Sequence, residues 1–244
     1  MERENDLGQR IGRAVEGWPR ALRPDGTELL GVRCRLELLD VGRHAEALHA
    51  AYAENRDGGD WTYLPYGPFD SIDAYREQVR LFEASEDPFY VIIDLERGVP
   101  VGVAAYLRVF PDSGSIEVGH LSFAPVLQRT PTSTEAMYLM MKRVFDDWGY
   151  RRYEWKCDSL NGPSRAAAER LGFRYEGVFR NHLVMKGRNR DTAWFSITED
   201  EWPDIRQAFE AWLSPANFDN EGFQRKRLGD LMPASAGAPI VRDT

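Results

Sequence analysis

The sequence predicts one mixed α/β (α+β) domain: a central, mostly antiparallel sheet with helices on both faces. Three observations predict it. Strand-length segments that alternate or run continuously apolar are interleaved with segments of 3.6-residue apolar period. Three of the strand-like segments follow one another directly, with hairpin-type turn residues between them. Strands and helices do not alternate strictly, so a repeated βαβ unit is excluded. The resulting order is β-α-α-β-β-β-α-β-α-β-β-α.

Residues 1–30 hold Trp18, Pro19 and Pro24 without a clear period and are expected to form an irregular arm lying on the domain. Over 31–39 the chain alternates, with Val32, Cys34, Leu36 and Leu38 on one face of a strand. A helix is predicted over 43–54, with Ala45, Leu48, Ala51 and Tyr52 on one side. The segment 58–69 is rich in aromatics, Gly and Pro and reads as an ordered loop. A second helix is predicted over 71–84, capped by Asp70 or Ser71, with Ile72, Tyr75, Val79 and Phe82 along one face.

The strand trio covers 89–95, 101–110 and 115–123, with turns at Arg97-Gly98 and Pro111–Gly114. The clearest helical period in the chain runs from Thr132 to Trp148: Met137, Met140, Met141, Val144, Phe145 and Trp148 share a face, and Gly149 stops it. Tyr153, Trp155 and Cys157 alternate with Glu154, Lys156 and Asp158 as a strand. A short helix over 163–171 ends at Gly172. Strands over 173–185 and 192–197 are joined by the polar turn 187–190, and Trp202–Leu213 forms a terminal helix. Beyond Ser214 the chain reads as loosely held. The expected organisation is an arm over 1–30, a domain over 31–203, and a helix with a tail over 204–244.

A chain of 244 residues can bury one sizeable core. No apolar run reaches the ~20 residues needed to span a bilayer. The charged start, Met1 to Arg10, is unlike a secretory signal. The two cysteines, Cys34 and Cys157, have no CxxC partner, which fits a reducing, cytoplasmic location. The net charge of −8 argues against nucleic-acid binding. It accommodates an amine substrate or simple solubility equally well. The oligomeric state is open, a homodimer among the options.

The most informative segment is Pro125–Ala136, where a strand ends, a loop turns and a strong helix begins. Thr132 and Glu135 have the spacing of a capping box. First-turn amides and the helix dipole favour an anion at such a mouth, and Arg129 adds a full positive charge. An ordinary capped helix is the plain alternative. Other chemistries lack their motifs: no G-x-x-x-x-G-K-[ST], G-x-G-x-x-G or G-x-S-x-G occurs. His44, His49, His120 and His182 are scattered, so a metal site is not expected. Cys157 reads as core, not as a nucleophile.

Gln128-Arg129-Thr130-Pro131-Thr132-Ser133 resembles the coenzyme A pyrophosphate loop, Q/R-x-x-G-x-G/A, of the GCN5-related N-acetyltransferase (GNAT) superfamily. Thr134-Glu135-Ala136 follows it as in the ribosomal-protein acetyltransferase-like (RimJ/RimL-like) branch. Asn161 to Phe173 is similar to that branch's N-x-x-S…A-x-x-x-LGF segment, and Tyr175-Glu176-Gly177 continues it. Pro131 and Ser133 depart from the motif where it has small residues, and proline removes one amide donor.

The resemblance implies a GNAT-like domain with acetyl-CoA as acyl donor and an amine as acceptor, either a protein N-terminus or a small amine such as a polyamine or an antibiotic. It implies that Gln128, Arg129, Thr130, Thr132, Ser133 and Thr134 hold the diphosphate and that the strand 115–123, with Leu121 and Phe123, pairs with the pantetheine arm. It also implies that Asn161 and Ser164 lie near the thiol. The chemistry would be direct attack of a neutral amine in a ternary complex. Proton transfer from a lysine-like ammonium to an ordinary carboxylate is uphill by about 8 kcal/mol, and from an α-ammonium by about 5 kcal/mol. The acceptor must therefore be desolvated or reached through water.

Glu117 is the candidate base, against a reading as a solvated strand residue; His120 is the alternative. Ser164 is the candidate donor to the leaving thiolate, unless it only bonds its own helix backbone. Asn161 touches pantetheine or caps the helix, and the resemblance favours the former. Trp61, Tyr63, Tyr66 and Phe69 either wall the acceptor site or pin their loop to the core. Lys186, Arg188 and Arg190 read as a solvated hairpin tip. A wide groove between that hairpin and the aromatic loop would favour peptides; a closed pocket would favour small amines. A non-catalytic acyl-CoA-binding module of the same fold is the rival reading.

Overall fold

A computed structural model describes residues 3–55, 57–234 and 236. The N-terminal arm carries a two-residue ladder of its own, β1 (Arg3–Glu4) against β2 (Arg10–Ile11). It is held to the domain by Trp18 Nε1 donating to the Gly149 carbonyl at 3.1 Å and by the Leu22 amide donating to Trp148 O at 2.9 Å. Then β3 (Leu29–Leu30) turns tightly into β4 (Cys34–Leu38). Cys34 and Leu36 are buried as the alternation predicts, but Val32 lies in the turn and is exposed, and Leu38 is half-exposed at the strand end.

Helix α1 (Val41–Tyr52) is capped by Asp40 and α2 (Ile72–Glu83) by Ser71. Three strands follow in antiparallel hairpins, β5 (Phe89–Asp94), β6 (Val99–Phe110) and β7 (Ser115–Phe123). Helix α3 (Pro131–Lys142) runs on into a wider π-type turn over Arg143–Asp147, and Gly149 ends it in the left-handed region that glycine tolerates. After it come β8 (Arg152–Asp158), α4 (Gly162–Arg170), β9 (Arg174–Met185), β10 (Arg188–Thr198), α5 (Trp202–Leu213) and α6 (Leu228–Leu231).

The main sheet has the order β3-β4-β5-β6-β7-β8-β10-β9, and β7–β8 is its one parallel pair. Helices α1 and α2 cover one face, where Ala45, Leu48, Val79 and Phe82 meet Val91, Val103 and Ala105. Helices α3 and α5 cover the other, where Met137, Met140, Met141 and Phe209 meet Ile92, Tyr106, Tyr153 and Phe195. Each buried Val, Leu, Ile, Phe or Met among these contributes roughly 1.5–3 kcal/mol relative to exposure. No helix among the described residues is long and apolar enough to cross a membrane.

Two expectations are corrected here. The strand-joining turn is shorter than 187–190: β9 and β10 extend to Met185 and Arg188, leaving Lys186-Gly187 as the tip. The chain beyond Ser214 is docked through residue 232. Asn217 is buried, and its side chain bonds Trp212 O at 3.0 Å, Lys226 O at 3.2 Å and Lys226 N at 3.0 Å. A buried amide with three backbone partners pins a polar segment that has few apolar residues to do so.

Candidate active site

The parallel ladder between β7 and β8 begins at Ser115–Arg152 and ends at Val118–Trp155, although β7 continues to Phe123. Beyond Val118 the two strands splay apart. On its other side β7 pairs Gly119 with Ala105 and Ser122 with Val103, so His120 and Leu121 oppose Ala104 alone. This bulge puts His120 at φ +51° and turns the backbone into the gap. A cavity of about 1020 Å³ opens there, lined by both splayed strands, the starts of α3 and α4, the β9–β10 hairpin and the C-terminal segment.

Glu117 faces this cavity and is only 3% exposed. Its Oε2 accepts from Arg108 Nη1 and Lys156 Nζ, each at 2.7 Å. Lys156 also pairs with Glu154 at 2.7 Å and sits 3.8 Å from the Trp194 ring centroid. Burial raises the Glu117 carboxyl above the usual range, while Arg108 and Lys156 pull it back. His120 lies in the same cavity, its Nδ1 3.1 Å from the Tyr66 hydroxyl. Burial, with Arg108 nearby, pushes its imidazole down to about 4, so it is neutral at pH 7.

Asn161 and Ser164 line the opposite wall. Asn161 Oδ1 caps α4 by accepting from Ser164 N at 3.1 Å, and its Nδ2 has no acceptor among the described residues. Ser164 Oγ accepts from Trp155 Nε1 at 3.0 Å, so its own proton is available to an acceptor. The hydroxyl also lies beside Cys157, whose thiol is pushed up by burial and drawn back in part by the Ser164 hydroxyl, an existing sulfur contact for that proton.

At the start of α3 the expected capping box is absent. Thr130, not Thr132, is the N-cap, with Oγ1 accepting from Ser133 N at 3.2 Å, and Pro131 takes the first helical position. Glu135 turns the other way. Its buried carboxylate accepts from the amides of Val32 at 3.0 Å, Arg33 at 2.7 Å and Cys34 at 2.9 Å. Three donors outbid one cap amide. Among the described residues, the amides of Arg129, Thr130 and Thr132 have no protein acceptor, and the Arg129 guanidinium has no ion pair. Gln128 lines the cavity but spends its Nε2 on Phe123 O at 2.9 Å and Asp60 at 3.1 Å.

A family model described as an acetyltransferase (GNAT) domain matches residues 33–174. The chain belongs to the GNAT family. A GNAT crystal structure from Brucella melitensis is 42% identical, covering 89% of this chain and 99% of that one, with a TM-score of 0.87. A probable GNAT acetyltransferase from Chromobacterium violaceum is 39% identical over 79% of this chain and 96% of that one, with a TM-score of 0.74. A Bacillus subtilis protein called uncharacterized N-acetyltransferase YnaD is 24% identical over 63% of this chain and 88% of its own length. GNAT membership brings with it the acyltransferase fold and a capacity for coenzyme A, which the splayed strands and the free amides before α3 fit.

Within this GNAT site, Leu121, Phe123, Thr130, Ser133 and Thr134 line the cavity and Thr132 does not. The Ser133 amide is spent on the Thr130 cap and the Thr134 amide on Thr130 O, which moves the free donors one turn earlier than the sequence suggests. Of the four loop aromatics, Tyr63 lines the cavity, with its hydroxyl donating to Leu160 O at 3.2 Å. Trp61 is buried against Tyr52, Tyr66 and Phe69, and Tyr66 stacks on His120. Trp61, Tyr66 and Phe69 therefore pin the loop.

The hairpin tip is exposed at Lys186, Gly187 and Arg188, as the charge pattern suggests, but it is tethered. Lys186 Nζ donates to three loop carbonyls, Trp61 at 2.8 Å, Tyr66 at 2.9 Å and Gly67 at 2.7 Å. Arg188 donates to Thr62 O at 2.7 Å. These bonds clamp hairpin to loop over the cavity. The pattern missed Arg108, Lys156, Arg170 and Arg190, all in the cavity wall, because each reads locally as an exposed cation. Only sheet order sets Lys156 of β8 against Glu117 of β7. Among the described residues no group of three His, Cys, Asp or Glu side chains could hold a metal ion.

Proposed function

We propose that this GNAT enzyme acetylates a small primary amine, not a protein N-terminus, by direct attack in a ternary complex. The observation that supports the reading is the tether of Lys186 and Arg188 to the aromatic loop, which joins the two elements between which an extended peptide would have to pass. Acetyl-CoA supplies an electrophilic thioester carbonyl. Arg129 and the free amides of Arg129, Thr130 and Thr132 hold its diphosphate, and Arg170, which donates to Thr134 Oγ1 at 3.2 Å, adds a second cation there.

Glu117 takes the proton from the attacking amine, directly or through one water. Its buried carboxyl is a better acceptor than a free one, and Arg108 and Lys156 keep it oriented. His120, neutral at pH 7, relays a proton or fixes that water. The backbone of Leu121 to Phe123, at the unpaired edge of β7, turns its donors toward developing negative charge. Ser164 donates its hydroxyl proton to the leaving sulfur. The Asn161–Phe173 and Tyr175–Gly177 segments support a place in the RimJ/RimL-like branch, and two buried free thiols support a reducing, cytoplasmic setting.

A thiol-release assay with acetyl-CoA against small amines and peptides with free N-termini tests this. Small amines should be turned over and peptides not. Lys186→Met should admit larger acceptors and cost about 1–2 kcal/mol in stability. Peptides acetylated faster than every small amine would overturn the acceptor reading. Binding of acetyl-CoA without transfer to any amine would leave a non-catalytic module.

A further inference from the structure

One cation on the acceptor side of the site, Arg190, makes no ion pair among the described residues. Glu117, Lys156 and Trp194 share a face of the sheet, joined by the 2.7 Å ion pair and the ring contact. Ala193, Phe195 and Ile197 of β10 are buried on the opposite face, so alternation puts Thr192 beside Trp194. Arg190 extends this surface: its Nε donates to Thr192 Oγ1 at 3.2 Å. His182 Nδ1 meets the same hydroxyl at 2.9 Å. A bulge holds the group in place. Arg190 pairs with Leu183 but Thr192 with Phe179, and Asn181 takes a left-handed φ of +50°.

Arg190 lines the cavity and is half-buried, yet it makes no ion pair among the described residues. Arg108, in the same cavity wall, is by contrast paired with Glu117. The nearest acid is Asp158, opposite Thr192 in register, and its Oδ1 accepts from Leu160 N at 2.9 Å. Burial depresses the Arg190 guanidinium, in keeping with a charge partly stripped of water, and Asp158 and Glu117, too far for an ion pair, offset this only in part. Such a charge is costly to keep unless something supplies the opposite sign. Its two terminal nitrogens form a planar fork suited to two oxygens of one anion. The overall charge of −8 does not describe this surface, where Arg108, Lys156 and Arg190 face Glu117 and Asp158.

We propose that Arg190 binds an oxyanion on the acceptor, so that the substrate is a small amine also bearing a carboxylate or phosphate, not a polyamine. The inference rests on the small-amine reading above and narrows it.

The test uses the full-length protein with acetyl-CoA and four matched probes: aminocarboxylates, their carboxamides, aminoalkyl phosphates and diamines. The expected result is a kcat/KM for one anionic class about tenfold to a hundredfold above its neutral counterpart. The better of the two anionic classes identifies the oxyanion. Arg190→Gln should raise KM for that class by a similar factor, with kcat and the acetyl-CoA Kd nearly unchanged. Arg190→Lys should recover part of the loss and guards against a folding defect. Diamines or carboxamides as best substrates would overturn the proposal while leaving the small-amine reading standing. So would an Arg190→Gln defect equal for all four classes, or one confined to acetyl-CoA binding. Failure of all four classes beside rapid peptide acetylation would instead remove the reading on which it rests.

Discussion

Replacing Glu117 by glutamine isolates the proton acceptor, because the side chain keeps its shape and its acceptor oxygen but cannot take up a proton near neutral pH. General-base assistance is worth about 10²–10⁴ in rate. The low end applies here: Glu117 already accepts from two cations at 2.7 Å, and His120 shares its cavity as a second acceptor. We therefore expect kcat to fall about a hundredfold, equivalent to ~2.7 kcal/mol of barrier.

The same substitution perturbs stability. Leaving a buried charge with no partner costs about 3–5 kcal/mol. Lys156, however, retains Glu154 at 2.7 Å and the Trp194 face. Arg108 is half-exposed, so solvent screens its loss. The expected destabilisation is about 1–2 kcal/mol, small enough for the variant to remain folded at assay temperature. The pH dependence follows from the sign of the shift. Because burial raises the Glu117 pKa, its ionised form accumulates, and kcat climbs, at a pH above the ordinary carboxylate range. Thiol release at saturating substrates should display this acid limb in the wild type and lose it in Glu117→Gln, with titration calorimetry giving an unchanged acetyl-CoA Kd. A kcat close to wild type at every pH would refute the assignment.

Arg129→Ala should weaken acetyl-CoA binding about 5- to 30-fold, read as Kd by calorimetry with kcat little changed; an unmoved Kd would detach the loop from the diphosphate. Glu135→Ala removes the carboxylate that bonds three amides of the β3–β4 turn. It should cost about 3 kcal/mol in urea denaturation, most of it from the buried Cys34 amide left without an acceptor; a cost below about 1 kcal/mol would mean that water replaces the carboxylate freely. His120 has a folded pKa near 4, below its ordinary value of 6.5, so the unfolded chain binds the extra proton first. Its contribution to stability is complete above pH 6.5 and is lost as the pH falls toward 4. His120→Gln should flatten the urea midpoint between those limits, and an identical pH profile in the variant would show that the imidazole is not buried neutral.

Local chemistry was sufficient wherever an element's partners lie within a turn or two of chain. The period from Met137 to Trp148, the alternation of Tyr153, Trp155 and Cys157, and the run over 89–95 each specify which side is apolar, and all of those apolar side chains except Leu95 are buried. Trp202–Leu213 appears as a helix with the predicted bounds. The two motif blocks, ending in Leu171-Gly172-Phe173, were enough to point to the family. What depended on partners far away in sequence was decided only by the fold. Glu135 has the spacing of a capping residue, but three amides about a hundred positions earlier draw it off, and the cap moves to Thr130. Lys186 is exposed, as its place in a charged turn suggests, but nothing in the local sequence gives the three carbonyls some 120 residues away that converge on its ammonium. Glu117 stands among alternating polar residues, and only the parallel pairing of β7 with β8 brings it against Lys156. Periodicity records which side of an element shuns water; where a charge finds its counterpart is a property of the assembled sheet, since coulombic and hydrogen-bond partners are chosen by distance in space.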